Sequence, residues 1–407
     1  MPGKPVEDVT RARLPKVLCL GPYCAQILAD YGAEVIKIED TEGGDDTRRI
    51  RAAGEAAAWK PGIGPMSNYF ASANRNKRSV KLNLKHEKGR KIFLDMVKEA
   101  DVVIENLRRG AMEKMDIGYD VLREINPRII FTSVSGYGPD GPFANRAGYD
   151  MITGAEAGLM HLQGERGGGP IKAGIAVTDL STGLYAHGAV LAALHARHRT
   201  GVGQKIDASL FETQVALLMH CAMSWLNLGQ EGERWGAQHP NVVPYDAFKT
   251  KDLYIVCGAV NDKQFLKLCT LLGQPSLASE VRFNDSQARV DNRDALTKIL
   301  NSLFITKTTD EWMALFDGTG LPYGPINNMQ RVFEHPQTEA REMVHEVPYE
   351  HATSGKLCLL GPAVKMSDTK PTIRRRPPLY GEHTAEVLQE YGIDAAELEI
   401  LKKDGVV

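Results

Sequence analysis

The first forty residues constrain the class of fold most tightly. Val17-Leu-Cys-Leu-Gly21 reads as a short buried strand running into a glycine turn. Pro22 to Tyr31 reads as a helix ended by Gly32, and Glu34-Val-Ile-Lys-Ile-Glu39 as a second strand. Strand, helix and strand in that order predict two parallel strands joined by a crossover helix, the start of an α/β, Rossmann-like sheet. Glu39 ends the second strand, where a dinucleotide-binding fold keeps its ribose acid. The glycine fingerprint is missing, since only Gly21 stands in the first turn, and NAD is discounted.

The alternation continues to about residue 135. Asn74-Arg-Asn-Lys-Arg-Ser79 precedes a strand over Val80 to Leu84, and His86 to Glu99 follows as an amphipathic helix with Ile92, Phe93 and Val97 on one face. Val102-Val-Ile104 and Arg128-Ile-Ile-Phe131 are further buried strands. Ile206-Asp-Ala-Ser-Leu210 is a strand or the start of a helix, and Phe211 to Gly229 is helical and apolar. The pattern then changes. Tyr245 to Val256 reads as a hairpin turning near Lys251-Asp252, with short helices around Asp262 to Leu272, Asp291 to Phe304 and Thr309 to Phe316. These predict a smaller α+β domain over 210–325, inserted between 1–209 and 326–407 of a larger Rossmann-like domain. The tail adds a hairpin over Val344 to Val364, the basic run Arg374-Arg-Arg376 and a last helix from Thr384.

Composition narrows the function classes. With 49 basic against 51 acidic residues, nothing draws the chain to nucleic acid or an anionic membrane. No apolar run approaches the roughly 20 residues of a membrane span. The six cysteines form no CxxC pair and no cluster at zinc spacing, so no metal is expected and the thiols read as reduced, in an intracellular protein. Met1 to Asp8 has no apolar stretch of the secretory kind, and Glu7 and Asp8 make it a poor transit peptide.

The chemistry is expected at Gly174-Ile-Ala-Val-Thr-Asp-Leu-Ser-Thr-Gly183, where an apolar run meets an acid and a helix begins. Leu180, Leu184, Leu191 and Leu194 carry the helical spacing, and Thr200-Gly201 ends the helix. Asp179 then falls at or just before the N-cap, where free backbone N–H groups would hold its carboxylate ionised and fixed in direction. A held carboxylate can act as a nucleophile, and an ordinary cap is the plainer alternative.

Several runs, in order along nearly the whole chain, together resemble the class III (CaiB/BaiF-type) CoA-transferases. They include Gly21-Pro-Tyr-Cys-Ala-Gln26, Gly32-Ala-Glu-Val-Ile-Lys-Ile-Glu39, Gly44-Asp-Asp-Thr-Arg48, Asn74-Arg-Asn-Lys-Arg-Ser79, Arg146-Ala-Gly-Tyr-Asp150, Asp179-Leu-Ser-Thr-Gly183 and Pro378-Leu-Tyr-Gly-Glu-His-Thr384. Within the family, Arg234-Trp-Gly-Ala-Gln-His239, Val243-Pro-Tyr-Asp-Ala-Phe-Lys-Thr-Lys-Asp252 and Pro322-Tyr-Gly-Pro-Ile-Asn-Asn-Met329 are similar to members that move CoA from succinyl-CoA to glutarate. The same chemistry with itaconate or another acid, an acyl-CoA racemase, and a non-catalytic acyl-CoA-binding protein are the alternatives.

The resemblance implies two subunits linked like interlocked rings, CoA and acyl-CoA as substrates and no permanently bound cofactor. It also implies the mitochondrial matrix if the source is eukaryotic, and the cytoplasm otherwise. The family's nucleophile falls on Asp179, with backbone N–H groups at the helix start and nearby glycines stabilising the oxyanions. Tyr149 stands where the racemases carry a histidine, which speaks against racemisation. Lys77 and Arg78 match positions near the CoA phosphates, and Asn106 and Lys114 positions along the nucleotide, a solvated charged face being the alternative. Arg48 and Arg75 are candidates for the distal carboxylate of a dicarboxylic acid, a structural ion pair being the alternative for each. His239 and Asn241 fall where related enzymes have a glycine loop over the site, and that glycine run is absent here. Two further departures stand out. Asp40 replaces a basic residue, and Ala12-Arg-Leu-Pro-Lys16 intervenes between Asp8-Val-Thr-Arg11 and the first strand.

Overall fold

A computed structural model of the chain describes residues 15–20 and 23–407. The expected turn at Gly21 and the run Asp8 to Arg11 lie outside the described residues. The chain divides into two compact units. The first comprises the residues up to Gly158, Gly174–Met219 and Gln337–Val407. The second comprises Leu159–Ala173 and His220–Pro336. The smaller unit thus takes in a stretch before the central helix and begins its main segment at His220, where composition suggested residue 210.

The first unit is built on a six-stranded, wholly parallel sheet: β1 (Lys16–Cys19), β2 (Glu34–Glu39), β3 (Lys77–Lys81), β4 (Val102–Glu105), β5 (Ile130–Ser135) and β6 (Lys205–Ser209), in the order β3-β2-β1-β4-β5-β6. The order reverses between β1 and β4, and such a reversal opens a crevice at the carboxyl ends of those strands. Apolar layers cover both faces, as a parallel sheet requires. One contains Ile36, Val80, Phe93, Val103 and Phe131, and the other Val17, Cys19, Ala25, Val102, Ala186 and Val190. The second layer is made by the helix Tyr23–Asp30 and by the central helix Val177–Thr200, which puts mostly small side chains, Ala186, Val190 and Ala193, against the sheet. Gly183 is required there: a Cβ on it would lie 2.9 Å from Cδ1 of Tyr23.

One strand starts earlier than expected. Its apolar signal begins at Val80, but β3 pairs with β2 from Lys77 onward, Val35 facing Lys77 and Ile36 facing Arg78. Lys77, Arg78 and Ser79, the end of the polar run, are therefore buried residues of an edge strand.

The second unit is a three-stranded antiparallel sheet, β7 (Tyr245–Lys249), β8 (Tyr254–Gly258) and β9 (Tyr323–Pro325), packed with helices that include Asp262–Leu271, Arg293–Phe304 and Thr309–Phe316. Its core is aromatic, with Phe248 stacked on Phe304 at 4.4 Å between centroids and Trp312 beside both Phe304 and Phe316. No helix among the described residues is long and apolar enough to cross a membrane.

Candidate functional site

Asp179 is the third residue of the central helix, not its cap. The helix begins at Val177, and the cap position is Ala176, whose side chain cannot accept a hydrogen bond. The acceptor comes from a distant segment. Asp150 Oδ1 accepts the backbone N–H of Thr178 at 2.8 Å and of Asp179 at 3.2 Å. The N–H of Val177 bonds Ile175 O and that of Leu180 bonds Ala176 O. The first turn therefore offers no N–H to stabilise an oxyanion, which corrects the expectation drawn from a free helix start.

The carboxylate of Asp179 makes no hydrogen bond among the described residues. Asp179 is exposed at the surface, yet the protein packed around its carboxylate removes part of the hydration of its charge; that desolvation, followed by the negative charge of Asp150, pushes its pKa up to about 6. The expected effect of the helix start had the opposite sign. The result is a carboxylate ionised at neutral pH and more basic than an ordinary aspartate, which suits attack on an acyl carbon.

Asp150 is delivered by a close crossing of two loops. A Cβ on Gly148 would lie 2.5 Å from Gly136 Cα, so two backbones pass where only glycines fit. The N–H of Phe211 bonds Gly136 O, and Thr153 Oγ1 donates to Tyr149 O, fixing the start of the helix Asp150–Glu156. Tyr149 is 72% exposed and accessible beside this start.

The two arginines expected to bind substrate are structural. Arg48 is fully buried. Its Nε and Nη2 donate to the two carboxylate oxygens of Glu39 at 2.7 and 2.6 Å, and its Nη1 donates to Pro378 O. Its guanidinium lies 3.6 Å from the Phe70 ring centroid. Arg75 pairs in the same forked way with Asp30, at 3.0 and 2.5 Å. The ion-pair alternative holds for both. Glu39 also accepts from Ser79 Oγ and the Asp45 N–H, so no ribose hydroxyl would find it open.

Lys77 and Arg78 are likewise interior, as strand residues of β3. Lys77 Nζ donates to Asn74 Oδ1 at 2.9 Å, and burial pushes its pKa down to about 8. Arg78 is held by Glu34, Glu386 and Glu390. Neither presents its charge outward as a CoA site requires. Arg374 and Arg376 of the basic run are also engaged, Arg374 with the carbonyls of Ala29 and Ala33, Arg376 with Glu350 and Glu382. Asp40 Oδ1 holds the turn by accepting the N–H groups of Glu42 and Gly44.

Asn106 and Lys114 are exposed. Asn106 directly follows β4, whose end lies beside that of β1, as the bond from Leu20 N to Ile104 O records. Arg108 and Arg109, which sequence reasoning passed over, are exposed in the same segment. Position after a strand bordering the reversal was the signal that could have found them.

His239 and Asn241 belong to the second unit. His239 Nδ1 accepts the N–H of Asn241 at 3.1 Å. The loop is tied down by Arg293, whose Nη1 donates to His239 O at 2.9 Å and whose Nη2 donates to Pro240 O. The Arg293 guanidinium lies 4.8 Å from the Trp235 ring centroid.

Known proteins resemble the chain along nearly its whole length. It is 54% identical over 394 residues to an acyl-CoA transferase of Fusarium pseudograminearum, covering 97% of this chain and 86% of the relative. It is 45% identical over 388 residues to the human succinyl-CoA:glutarate CoA-transferase, covering 95% of this chain and 86% of that one. The crystal structure of a CAIB/BAIF family protein from Brucella suis superposes with a TM-score of 0.82 at 38% identity, over 92% of this chain and 98% of that one. The family model of CoA-transferase family III matches residues 13–384, and the chain is a member of that family and a class III CoA-transferase.

Proposed function

We propose that this enzyme moves CoA from succinyl-CoA to a dicarboxylic acid such as glutarate, with Asp179 as the nucleophile. The observation that carries the reading is the carboxylate of Asp179, free of hydrogen bonds among the described residues, ionised at neutral pH and unusually basic for its type. The likeness to the human glutarate enzyme supports the substrates.

The steps balance without ATP. An Asp179 oxygen attacks the thioester carbonyl, the C–S bond breaks, and CoA leaves as thiolate with an aspartyl–succinyl anhydride behind it. The thiolate attacks the aspartyl carbonyl of the anhydride and free succinate leaves. The acceptor carboxylate then attacks the aspartyl thioester, and the returning thiolate takes the acceptor's acyl group, releasing Asp179. Each exchange conserves an activated acyl bond. Asn106, Arg108, Arg109 and Lys114, exposed in the chain after β4, offer donors and positive charge for the phosphates of CoA.

Exposed apolar side chains support a homodimer as part of this reading. Leu184, Tyr185 and Leu191 line the central helix, and Met223, Trp225, Leu226 and Leu228 line the helix Met219–Leu228. The compartment that goes with the reading, for a eukaryotic source, is the mitochondrial matrix, and fractionation tests it.

Transfer is tested by incubating the enzyme with succinyl-CoA and a panel of free acids. Succinate release that depends on glutarate supports the reading. Release that depends on itaconate or another acid keeps the chemistry and changes the acceptor. Inversion of an α-methylacyl-CoA without transfer would replace the reading with a racemase.

A further inference from the structure

We propose that Asp150 is a positioning residue for the transfer reaction: it occupies the amide groups at the start of the central helix, so that the helix end orients Asp179 without quenching it as a nucleophile. The proposal rests on the reading of Asp179 as the attacking group.

A helix start carries unsatisfied N–H groups and a partial positive charge. An aspartate at the third position ordinarily benefits from both, and such stabilisation makes it a weaker base. Here the cap residue is Ala176, which has no side-chain acceptor, and a local carbonyl, Ile175 O, takes up only the N–H of Val177. Asp150, from 28 residues earlier, bridges two of the free amides with one oxygen and adds a full negative charge beside them. The amide it binds more loosely, at 3.2 Å, belongs to Asp179 itself. Asp150 thus fixes the backbone from which the Asp179 side chain projects, and its charge opposes the helix end.

Other ionisable groups sit on the elements packed against the central helix. Tyr23 and Asp30 lie on the helix Tyr23–Asp30 with Tyr31 directly after it, Glu156 on the helix Asp150–Glu156, Glu212 on the helix Leu210–Leu217, and Lys205 and Asp207 on β6. Asp30 is bound to Arg75, Glu156 to Arg146 and Tyr137, and Glu212 to Ser209. The helix's own His187, His195, Arg197, His198 and Arg199 lie two turns or more further on. Among the described residues, Asp150 alone acts on Asp179 through its charge.

The test uses Asp150→Asn, which keeps an oxygen acceptor and removes the charge, and Asp150→Ala, which removes both. The Asp179 γ-carboxyl is titrated by ¹³C NMR, assigned by difference against Asp179→Asn, and kcat and KM for succinyl-CoA are measured across pH with glutarate as acceptor. In Asp150→Asn the Asp179 midpoint falls, and the acid limb of kcat moves down with it. In Asp150→Ala kcat falls by ~100-fold with KM moved far less, the cost of a misplaced reacting group. An unchanged midpoint in Asp150→Asn overturns the proposal, and it decides the matter even if the alanine variant fails to fold. Failure of the nucleophile reading shows separately, as a wild type that forms no covalent adduct at Asp179, and leaves the titration intact.

Discussion

Asp150 Oδ1 accepts the backbone N–H of Asp179 at 3.2 Å, so the two acids of the site are joined through one residue's main chain and repel through their side chains. The arrangement holds Asp179 in place and keeps its charge costly. The folded-state pKa, about 6, exceeds the usual aspartate value, so the native state binds a proton more tightly than the unfolded state does. The contribution to stability is best below the unfolded pKa and is lost as pH rises through about 6. Asp179→Asn is therefore expected to raise Tm relative to wild type at pH 8, with the gap closing near pH 4, while transfer is abolished. Thermal melts at the two pH values check this.

Arg48 tests the difference between a binding and a structural arginine. Burial works against the charge of Glu39, but the hydrogen bonds from Arg48 prevail and hold its carboxyl below the usual range. Removing one partner leaves an uncompensated buried charge. Arg48→Ala is expected to cost about 3–5 kcal/mol in urea denaturation. A variant of wild-type stability with a raised KM for the acceptor acid would restore the substrate role.

The glycine crossing at Gly136 and Gly148 makes a prediction about placement. A Cβ at residue 148 meets backbone atoms, which do not rotate away as a side-chain tip does. Gly148→Ala is expected to lose about 1–3 kcal/mol of stability. It also displaces Asp150, so its acid limb of kcat moves in the same direction as that of Asp150→Asn. A pH–rate profile identical to wild type would separate the crossing from the site.

Arg293 ties the loop that carries His239 and Asn241. Arg293→Ala leaves the carbonyls of His239 and Pro240 without their donors. Hydrogen exchange of the amides over residues 236–241 is expected to quicken, with the aromatic core of the second unit unaffected. Unchanged protection there would show that Trp235 and the flanking chain suffice.

The sheet was legible because a parallel strand is an apolar run bounded by turns, and β1, β2, β4 and β5 read that way. β3 misled because its first residues are Lys77 and Arg78. Charged residues look exposed in sequence, and only the partners, Asn74 and the three glutamates, make them tolerable inside. Arg48 and Arg75 failed for the same reason, since Glu39 lies on the preceding strand and Asp30 45 residues away, and no periodic pattern marks a buried fork. Asp179 was legible as a candidate from the helix start, but the sign of its electrostatics was not. That sign depends on Asp150, whose role follows from a loop crossing with no periodic signature.

The most direct test of the account is a search for the covalent intermediate. The enzyme is mixed with succinyl-CoA in the absence of acceptor, quenched, digested and read by mass spectrometry. The account predicts a CoA thioester on the peptide carrying Asp179, absent in Asp179→Ala and discharged when glutarate is added first. Transfer at wild-type rates with that peptide unmodified, or transfer surviving in Asp179→Ala, would contradict it.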